Sequence, residues 1–368
     1  MSKEALVIGA GAWGTALARL LALQGRGVGL WCREPEIAAE IAAVRENRTF
    51  LPGVGIPEAV RPFTDPSAGA GARFVILAVP AQHIRKTVTM FKPYLDEEST
   101  LINVAKGIEI GTALMPSQII RSVLGRERKI HTLSGPTHAE EVGRDMPSAA
   151  VVAGRRVRGN RRIQQYLNGE TFRVYTSTDQ IGVEIAGALK NVIALAAGIA
   201  QALGCGANTV AALATRGLSE ITHLGEALGA DPRTFSGLAG MGDLFVTLAS
   251  EHSRNLWAGR EIGRGRTALE VQASTSKVIE GIPTCCAAIT LAERYKMEMP
   301  IVEQMGAVLF GGLDPRQAVA FLMRREPIAE RVAWYMRWRG RHDKVSKTGP
   351  LASVRRRYRR YLTRKKTT

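Results

Sequence analysis

Six residues near the start of the chain, Gly9-Ala10-Gly11-Ala12-Trp13-Gly14, restrict its fold more than any other feature. A G-x-G-x-x-G string alone is a weak signal, but its surroundings here strengthen it. The apolar run Ala5 to Ile8 precedes it as a strand. Thr15-Ala-Leu-Ala-Arg-Leu-Leu-Ala-Leu follows as a helix that stops at Gly25, and Val28 to Trp31 reads as a second strand. That is a βαβ unit of the length a dinucleotide fold uses. Gly9 permits the tight turn, Gly11 leaves room for a pyrophosphate beside the backbone, and Gly14 lets helix and strand pack closely. The free N–H groups at the helix start then face the phosphates. A glycine-rich turn that binds nothing is the bland alternative.

The rest of the N-terminal half extends this unit. Phe74 to Val79, Leu101 to Ala105 and Ile130 to Leu133 are short apolar runs, as expected of parallel strands covered on both faces. Pro80 ends the first, Lys106-Gly107 the second, and Ser134-Gly135-Pro136-Thr137 the third. Ligands of open α/β sheets bind outside the carboxyl ends of the strands, so Lys106 is expected to face the same crevice as the glycine turn; an exposed turn lysine is the alternative. Cofactor choice should be decided at the end of the second strand, Leu30-Trp31-Cys32-Arg33-Glu34. Arg33 suits a 2′-phosphate and so NADP, while Glu34 or Glu36 would serve NAD.

Strand signals fade after Phe172 to Tyr175, and helical patterns take over. The run from Thr178 to Gly204 reads as one long helix with an N-cap in Ser177-Thr178-Asp179 and a stop at Gly204. Lys190 sits inside it, with Ala186, Gly187, Ile193 and Ala194 three and four positions away on its own face. A lysine among small and apolar groups is desolvated, which lowers its pKa toward a range where it exchanges protons. The alternative is a lysine that snorkels to water. Further helices are expected over about 208–228, 256–263, 284–296 and 301–309. Between them lie a Gly-rich turn holding Asp243, and Ser253-Arg254-Asn255, whose guanidinium and amide have the chemistry of an anion clamp.

The charge of the chain is unevenly placed. Of the formal +17, the last 46 residues carry +13, so the body is nearly neutral and the C-terminus is a basic appendage. No basic segment with an apolar signal core precedes the first strand. The longest apolar stretch in the Lys190 helix, Val192 to Ala200, is too short to cross a bilayer. The cysteines Cys32, Cys205, Cys285 and Cys286 have neither metal-type nor disulfide-type spacing, which points to no metal and to a reducing, cytoplasmic setting.

Taken in order, GAGAWGTALA (9–18), KGIE (106–109), SGPTHAEE (134–141), GALKNVIALAAG (187–198), TRGLSE (215–220), GMGDL (240–244), SRN (253–255) and VIEG (278–281) resemble the bacterial-type NAD(P)-dependent glycerol-3-phosphate dehydrogenases over residues 4 to 324. The resemblance implies an α/β chain with an N-terminal Rossmann-type doubly wound domain over 1–176 and an all-α substrate domain over 177–324; a basic C-terminal extension over 325–368 lies beyond it. It implies reversible reduction of dihydroxyacetone phosphate to sn-glycerol 3-phosphate, a precursor of glycerophospholipids, with NADP or NAD. By the same resemblance Lys190 is the general acid/base, aided by Lys106 and Asp243. Lys106, Gly135, Thr137, Lys190, Asn191, Asp243, Ser253, Arg254 and Asn255 match substrate contacts. Gly9, Gly11, Ala12, Trp13, Gly14, Arg33, Lys106, Ala139, Arg254, Val278 and Glu280 match cofactor contacts. Ala12 stands where Ser is frequent and His138 where Phe is frequent; His138 is expected to have a local packing or polar role. A homodimer is the expected assembly. The nearest rivals are another β-hydroxyacid dehydrogenase, which the SRN and GMGDL motifs disfavour, and a non-catalytic cofactor sensor, which the intact Lys106, Lys190, Asp243 and Arg254 disfavour.

The family pattern does not explain residues from about 325 onward. Val354, Tyr358, Tyr361 and Leu362 share one helical face with arginines between them, and Trp334 to Trp338 adds interfacial aromatics. This suits an anionic membrane surface. Nucleic-acid binding is a less favoured reading, and a solvated tail is the bland one.

Overall fold

The structure is a computed structural model and describes residues 4–326. The basic extension read from the sequence falls almost wholly outside these residues.

The N-terminal part is an eight-stranded sheet with helices on both faces. In chain order it contains β1 (Ala5–Ile8), α1 (Ala12–Leu23), β2 (Val28–Trp31), α2 (Pro35–Val44), β3 (Glu46–Asn47), β4 (Leu51–Gly55), β5 (Val60–Phe63), β6 (Phe74–Leu77), α3 (Ile84–Phe91), β7 (Thr100–Asn103), α4 (Pro116–Leu124), β8 (Lys129–Ser134), α5 (Ala139–Val142), β9 (Ser148–Ala153), α6 (Val157–Leu167) and β10 (Phe172–Ser177). The strand order is β10-β9-β8-β7-β6-β1-β2-β5, and β3 pairs with β4 in a small separate ribbon. The order reverses between β1 and β6, which makes the crevice above them the switch point where ligands of such sheets bind. Strands β1, β2, β6 and β7 are buried at every position, and that is why they read as unbroken apolar runs.

One pairing in the large sheet departs from the expected parallel plan. Strands β8 and β9 pair antiparallel, so β9 and β10, parallel to each other, run against the rest. Edge strand β5 carries Pro62, which cannot donate to a ladder and is tolerated only at an edge or bulge. That proline and the small residues of β9 hide both strands from a pattern of long apolar runs.

The C-terminal part is helical: α7 (Gln180–Ala202), α8 (Ala207–Ala227), α9 (Asp243–Ala249), α10 (Arg254–Gly263), α11 (Ala268–Ala273), α12 (Gly281–Tyr295), α13 (Pro300–Gly311) and α14 (Pro315–Met323). Helix α7 is its axis. Asp179 caps it by accepting from the Gly182 N–H at 2.9 Å. By length and composition α7 would pass for a membrane span, but its whole apolar window is buried inside the fold. It packs most closely on α10, because a Cβ on Gly198 would stand 2.2 Å from the Leu256 carbonyl oxygen. The core around α7 takes in Ile108, Met115 and Val151 from the sheet side, so helices and sheet share one apolar seam.

One buried carboxylate pins this seam, and a second ties two helices of the C-terminal part together. Glu184 on α7 accepts from the Ser117 N–H (2.9 Å) and hydroxyl (2.7 Å) and from the Thr132 hydroxyl (2.9 Å), tying the helix to α4 and β8. Burial raises its pKa against these donors. Glu220 on α8 accepts from the Ile301 and Val302 N–H groups and so caps α13 from a distant part of the chain. Burial pushes Glu220 up to about 8.

Candidate active site

The glycine turn stands where the sequence places it. Gly9 follows β1 with φ +115°, and a Cβ there would meet the Ala78 carbonyl oxygen at 2.7 Å. A Cβ on Gly14 would stand 1.9 Å from the Gly9 carbonyl oxygen, so the turn closes only with glycine at both positions. Gly11 has nothing within 4 Å of its Cβ position. Helix α1 begins there with no side-chain cap and no acid in its first turn, which leaves its positive end for an anion. Ala12 and Trp13 form that first turn. Ala139 begins α5 and packs with Ala16 of α1. Arg33 lies just past β2, largely exposed and paired with Glu34. Val278 is exposed on the loop before α12.

Glu280 spans the two halves. Its Oε1 accepts from the Ala81 N–H at 2.9 Å, while Oε2 is buried without a partner. Burial pushes its pKa up to about 7, against the pull of that N–H and of Arg254. An orphaned carboxylate oxygen, an uncapped helix start and the clear space over Gly11 together fit a dinucleotide with hydroxyl donors.

Beside this crevice three segments converge on one carboxylate. Asp243 is 1% exposed, and its Oδ1 accepts from the Lys190 ammonium at 2.6 Å. Lys106 lies 2.7 Å from Oδ2 and also donates to the Gly135 carbonyl at 2.9 Å. One acid therefore holds two cations, the geometry expected for coupled proton chemistry. Lys190 is 7% exposed, so it does not snorkel to water. Desolvation is the largest influence on it and, helped by Lys106 and Arg254, outweighs Asp243, leaving its pKa at about 8.

Asp243 is not in a loose turn, as the sequence suggested. Leu238–Gly242 forms a π-helical turn that runs directly into α9 and points the carboxylate at Lys190. Thr247, one helical turn later, accepts from Lys190 at 2.5 Å and donates to the Asp243 carbonyl at 2.6 Å. The sequence reading missed Thr247. Its signal was the i,i+4 spacing from Asp243, which puts both side chains on one face.

The asparagines form a relay. Asn255 donates to the Asn191 side chain at 2.9 Å, and Asn191 donates to the Lys106 carbonyl at 3.1 Å. The Asn255 oxygen accepts from the Gly281 N–H at 2.9 Å. Asn255 is thus engaged on both its atoms and fixes Lys106 and the start of α12 in place. Arg254 beside it is exposed at the start of α10, and Ser253 caps that helix at the Leu256 N–H. The SRN segment is therefore a helix start, two residues earlier than the pattern suggested. Gly135 has φ +133°, and its carbonyl also accepts from the Thr137 hydroxyl at 3.1 Å. His138 contacts the Val246 carbonyl at 3.4 Å and is kept below its usual pKa, first by burial and then by Lys190.

Comparison with known proteins agrees with this geometry. Residues 4–158 match the profile of the NAD-dependent glycerol-3-phosphate dehydrogenase N-terminus, and residues 179–320 match that of its C-terminus. The chain is 48% identical over 326 residues to glycerol-3-phosphate dehydrogenase [NAD(P)+] of Carboxydothermus hydrogenoformans, covering 88% of this chain and 97% of that one. It is 45% identical over 336 residues to the enzyme of the same name from Geobacter sp. strain M21, covering 90% of this chain and all of that one. The crystal structure of glycerol-3-phosphate dehydrogenase from Coxiella burnetii superposes with a TM-score of 0.83 at 34% identity, covering 87% of this chain and 98% of that chain.

Proposed function

This chain is a member of the NAD-dependent glycerol-3-phosphate dehydrogenase family, and from that premise we propose that it reduces dihydroxyacetone phosphate to sn-glycerol 3-phosphate reversibly with NADH or NADPH. The observation that carries this reading is the buried Lys190–Asp243–Lys106 bridge beside an uncapped glycine-turn crevice.

When bound, the nicotinamide supplies the hydride for the ketone carbon. Lys190, as an ammonium, donates a proton from Nζ to the oxygen that becomes the alcohol, and as an amine it takes the proton back in the oxidation. A pKa of about 8 keeps both forms accessible near neutral pH. Asp243 and Thr247 fix Nζ in direction, and Lys106 adds positive charge where the oxygen turns negative. Arg254 and Ser253 hold the substrate phosphate, with Gly135 and Thr137 lining the other side. Asn191 and Asn255 position Lys106. On the cofactor side Gly9, Gly11, Ala12, Trp13 and Gly14 receive the pyrophosphate, and Ala139, Val278 and Glu280 close over it. Arg33 is assigned to a 2′-phosphate, which tilts the chain toward NADP. The division of labour is assigned to 176/177, at the end of β10 and just before α7.

The finer biology follows the same reading. The enzyme works in the cytoplasm as a homodimer and feeds glycerophospholipid synthesis. The basic extension over 325–368 touches anionic membrane rather than nucleic acid; it lies outside the described residues except for Arg325 and Glu326. Binding of anionic liposomes and of DNA, measured across salt with the full chain and with a chain ending at Arg325, tests that contact. Equal liposome binding by both chains removes it.

The central test is oxidation of NADH and of NADPH by the purified protein with dihydroxyacetone phosphate. Consumption of either, absent without the ketone, is the expected result; none with both overturns the reading.

A further inference from the structure

At the opposite edge of the sheet, where β1 and β6 begin, lies a second cluster that the proposed reaction does not use. Phe74 and Tyr166 stack there with ring centroids 3.8 Å apart. Three guanidinium groups surround this pair. Arg26 lies 3.9 Å from the Tyr166 centroid, and Arg73 and Arg162 lie 5.4 and 5.5 Å from that of Phe74. Together with Glu4 and Gln165 they line a depression of about 210 Å³.

Its charges do not balance. Glu4 is the one acid among the lining residues, and it pairs with Arg26 at a loose 3.4 Å. Among the described residues the side chains of Arg73 and Arg162 take part in no ion pair and no hydrogen bond. Three like charges gathered over two apolar rings repel one another in a weakly screened setting. Among the described residues the guanidinium N–H donors of Arg73 and Arg162 have no protein partner, while Arg26 directs Nε to Gln24 and Nη1 to Glu4 at 3.4 Å each and keeps its remaining donors. Tyr166 lines the same depression, and its hydroxyl oxygen is buried next to the Arg26 guanidinium.

We propose that Arg26, Arg73 and Arg162 form a binding site for a phosphate-class oxyanion, remote from the active site. A tetrahedral dianion meets every demand of the cluster at once. It neutralises the surplus charge and accepts bidentate pairs from the guanidinium edges. The surplus of cations over acids selects a doubly charged phosphate over a carboxylate. The exposed arginines 155, 156, 158 and 161 at and along α6 strengthen the field that draws such an anion in.

The experiment measures the thermal midpoint against inorganic phosphate, since a ligand that binds only the folded state raises it. An Arg254→Ala background keeps phosphate bound in the substrate pocket out of the signal. Added to it, Arg73→Ser with Arg162→Ser should weaken the apparent phosphate affinity by more than about tenfold, the scale of losing charge-assisted hydrogen bonds. Tyr166→Phe, which keeps the ring stack and all three guanidinium groups, should change it little. General salting effects act on parent and variant alike and cancel. With Arg254 intact, the Arg73→Ser/Arg162→Ser protein should retain kcat/KM within about twofold, since surface changes away from a site are close to neutral. Methyl phosphate run in parallel separates the two sources of the group. Affinity equal to that of phosphate marks recognition of the anion alone, and tighter affinity marks an ester. A phosphate-dependent rise that is the same in the Arg73→Ser/Arg162→Ser protein and its parent overturns the proposal.

Discussion

The crevice over β1 and the wall made by α7 face one another across the candidate site, yet they are built from opposite materials. The crevice is backbone: Gly9 and Gly14 fold so tightly that their Cβ positions are filled by carbonyl oxygens, and α1 offers a helix start bare of side-chain caps. The wall is side chain: one carboxylate and two ammonium groups taken out of water, a threonine, and two asparagines in series. A backbone cradle binds by shape and dipole and tolerates little change of volume. A buried ionic cluster sets proton affinities and tolerates little change of charge. The two sides should therefore fail differently when altered.

The largest failure is expected on the wall. Lys190→Ala should lower kcat by about 10²–10⁴-fold, the scale of general acid–base catalysis, while KM for NADH changes little. Steady-state kinetics with both substrates varied reads this directly. With Lys190 as the proposed proton donor, ketone reduction draws on its ammonium form, so kcat/KM for reduction should fall as pH rises through about 8, and alcohol oxidation should rise over the same range. A reduction profile flat from pH 7 to 9.5 would remove Lys190 as the proton donor. Next comes Arg254→Ala, which should raise KM for the phosphorylated ketone by about 10–100-fold, the worth of a charged hydrogen bond. An unchanged KM places the phosphate elsewhere.

The cradle should show the converse pattern. Gly14→Ala forces a methyl against the Gly9 carbonyl, and overpacking of this sort costs about 1–3 kcal/mol. We expect KM for NADH to rise by about tenfold with kcat nearly kept, because Lys190 and its partners stay in place. A fall in kcat with an unchanged KM would erase the distinction between the two sides.

The smallest effect concerns stability. Folding raises the Glu220 pKa from the usual carboxylate range to about 8. The folded state therefore holds a proton that the unfolded chain has already released. Its contribution to stability is complete below about pH 4.5 and is lost as pH rises through about 8. Thermal midpoints should drift downward from pH 5 to pH 8.5, and Glu220→Gln, which cannot ionise, should flatten the drift. A drift of the same size in that variant would assign it to other groups.

The contrast also explains which parts were legible in the sequence. The cradle is local: strand, turn and helix occupy consecutive residues, and β1, β2 and the start of α1 follow from spacing alone. The small neighbours of Lys190 raised burial for the same local reason but left a snorkelling lysine open until the fold placed the side chain. The wall is not local. Lys106, Lys190 and Asp243 are far apart in the chain, and only the family resemblance put them together before the fold did. Thr247, the Asn255–Asn191–Lys106 relay and the π-helical approach to Asp243 depend on helix packing that no single stretch encodes. The reversal at β9 was hidden because its residues pack equally well in either direction.

That reversal fixes the direction in which α7 climbs. Because β10 descends, α7 begins at the foot of β8, where Gln180 reaches the Ile130 carbonyl, and ascends past Thr132 until Gly187 faces Ser134. Ten residues of helix rise about 15 Å, close to the height of four or five strand residues, so Lys190 emerges level with the strand ends. Helix α7 is in effect a ruler with its zero at Asp179. A residue inserted between Asp179 and Lys190 would swing the ammonium about 100° around the helix and away from Asp243, whereas one added in the loop before β9 would leave the measurement intact. The length of this segment is thus as much a catalytic specification as the lysine it carries.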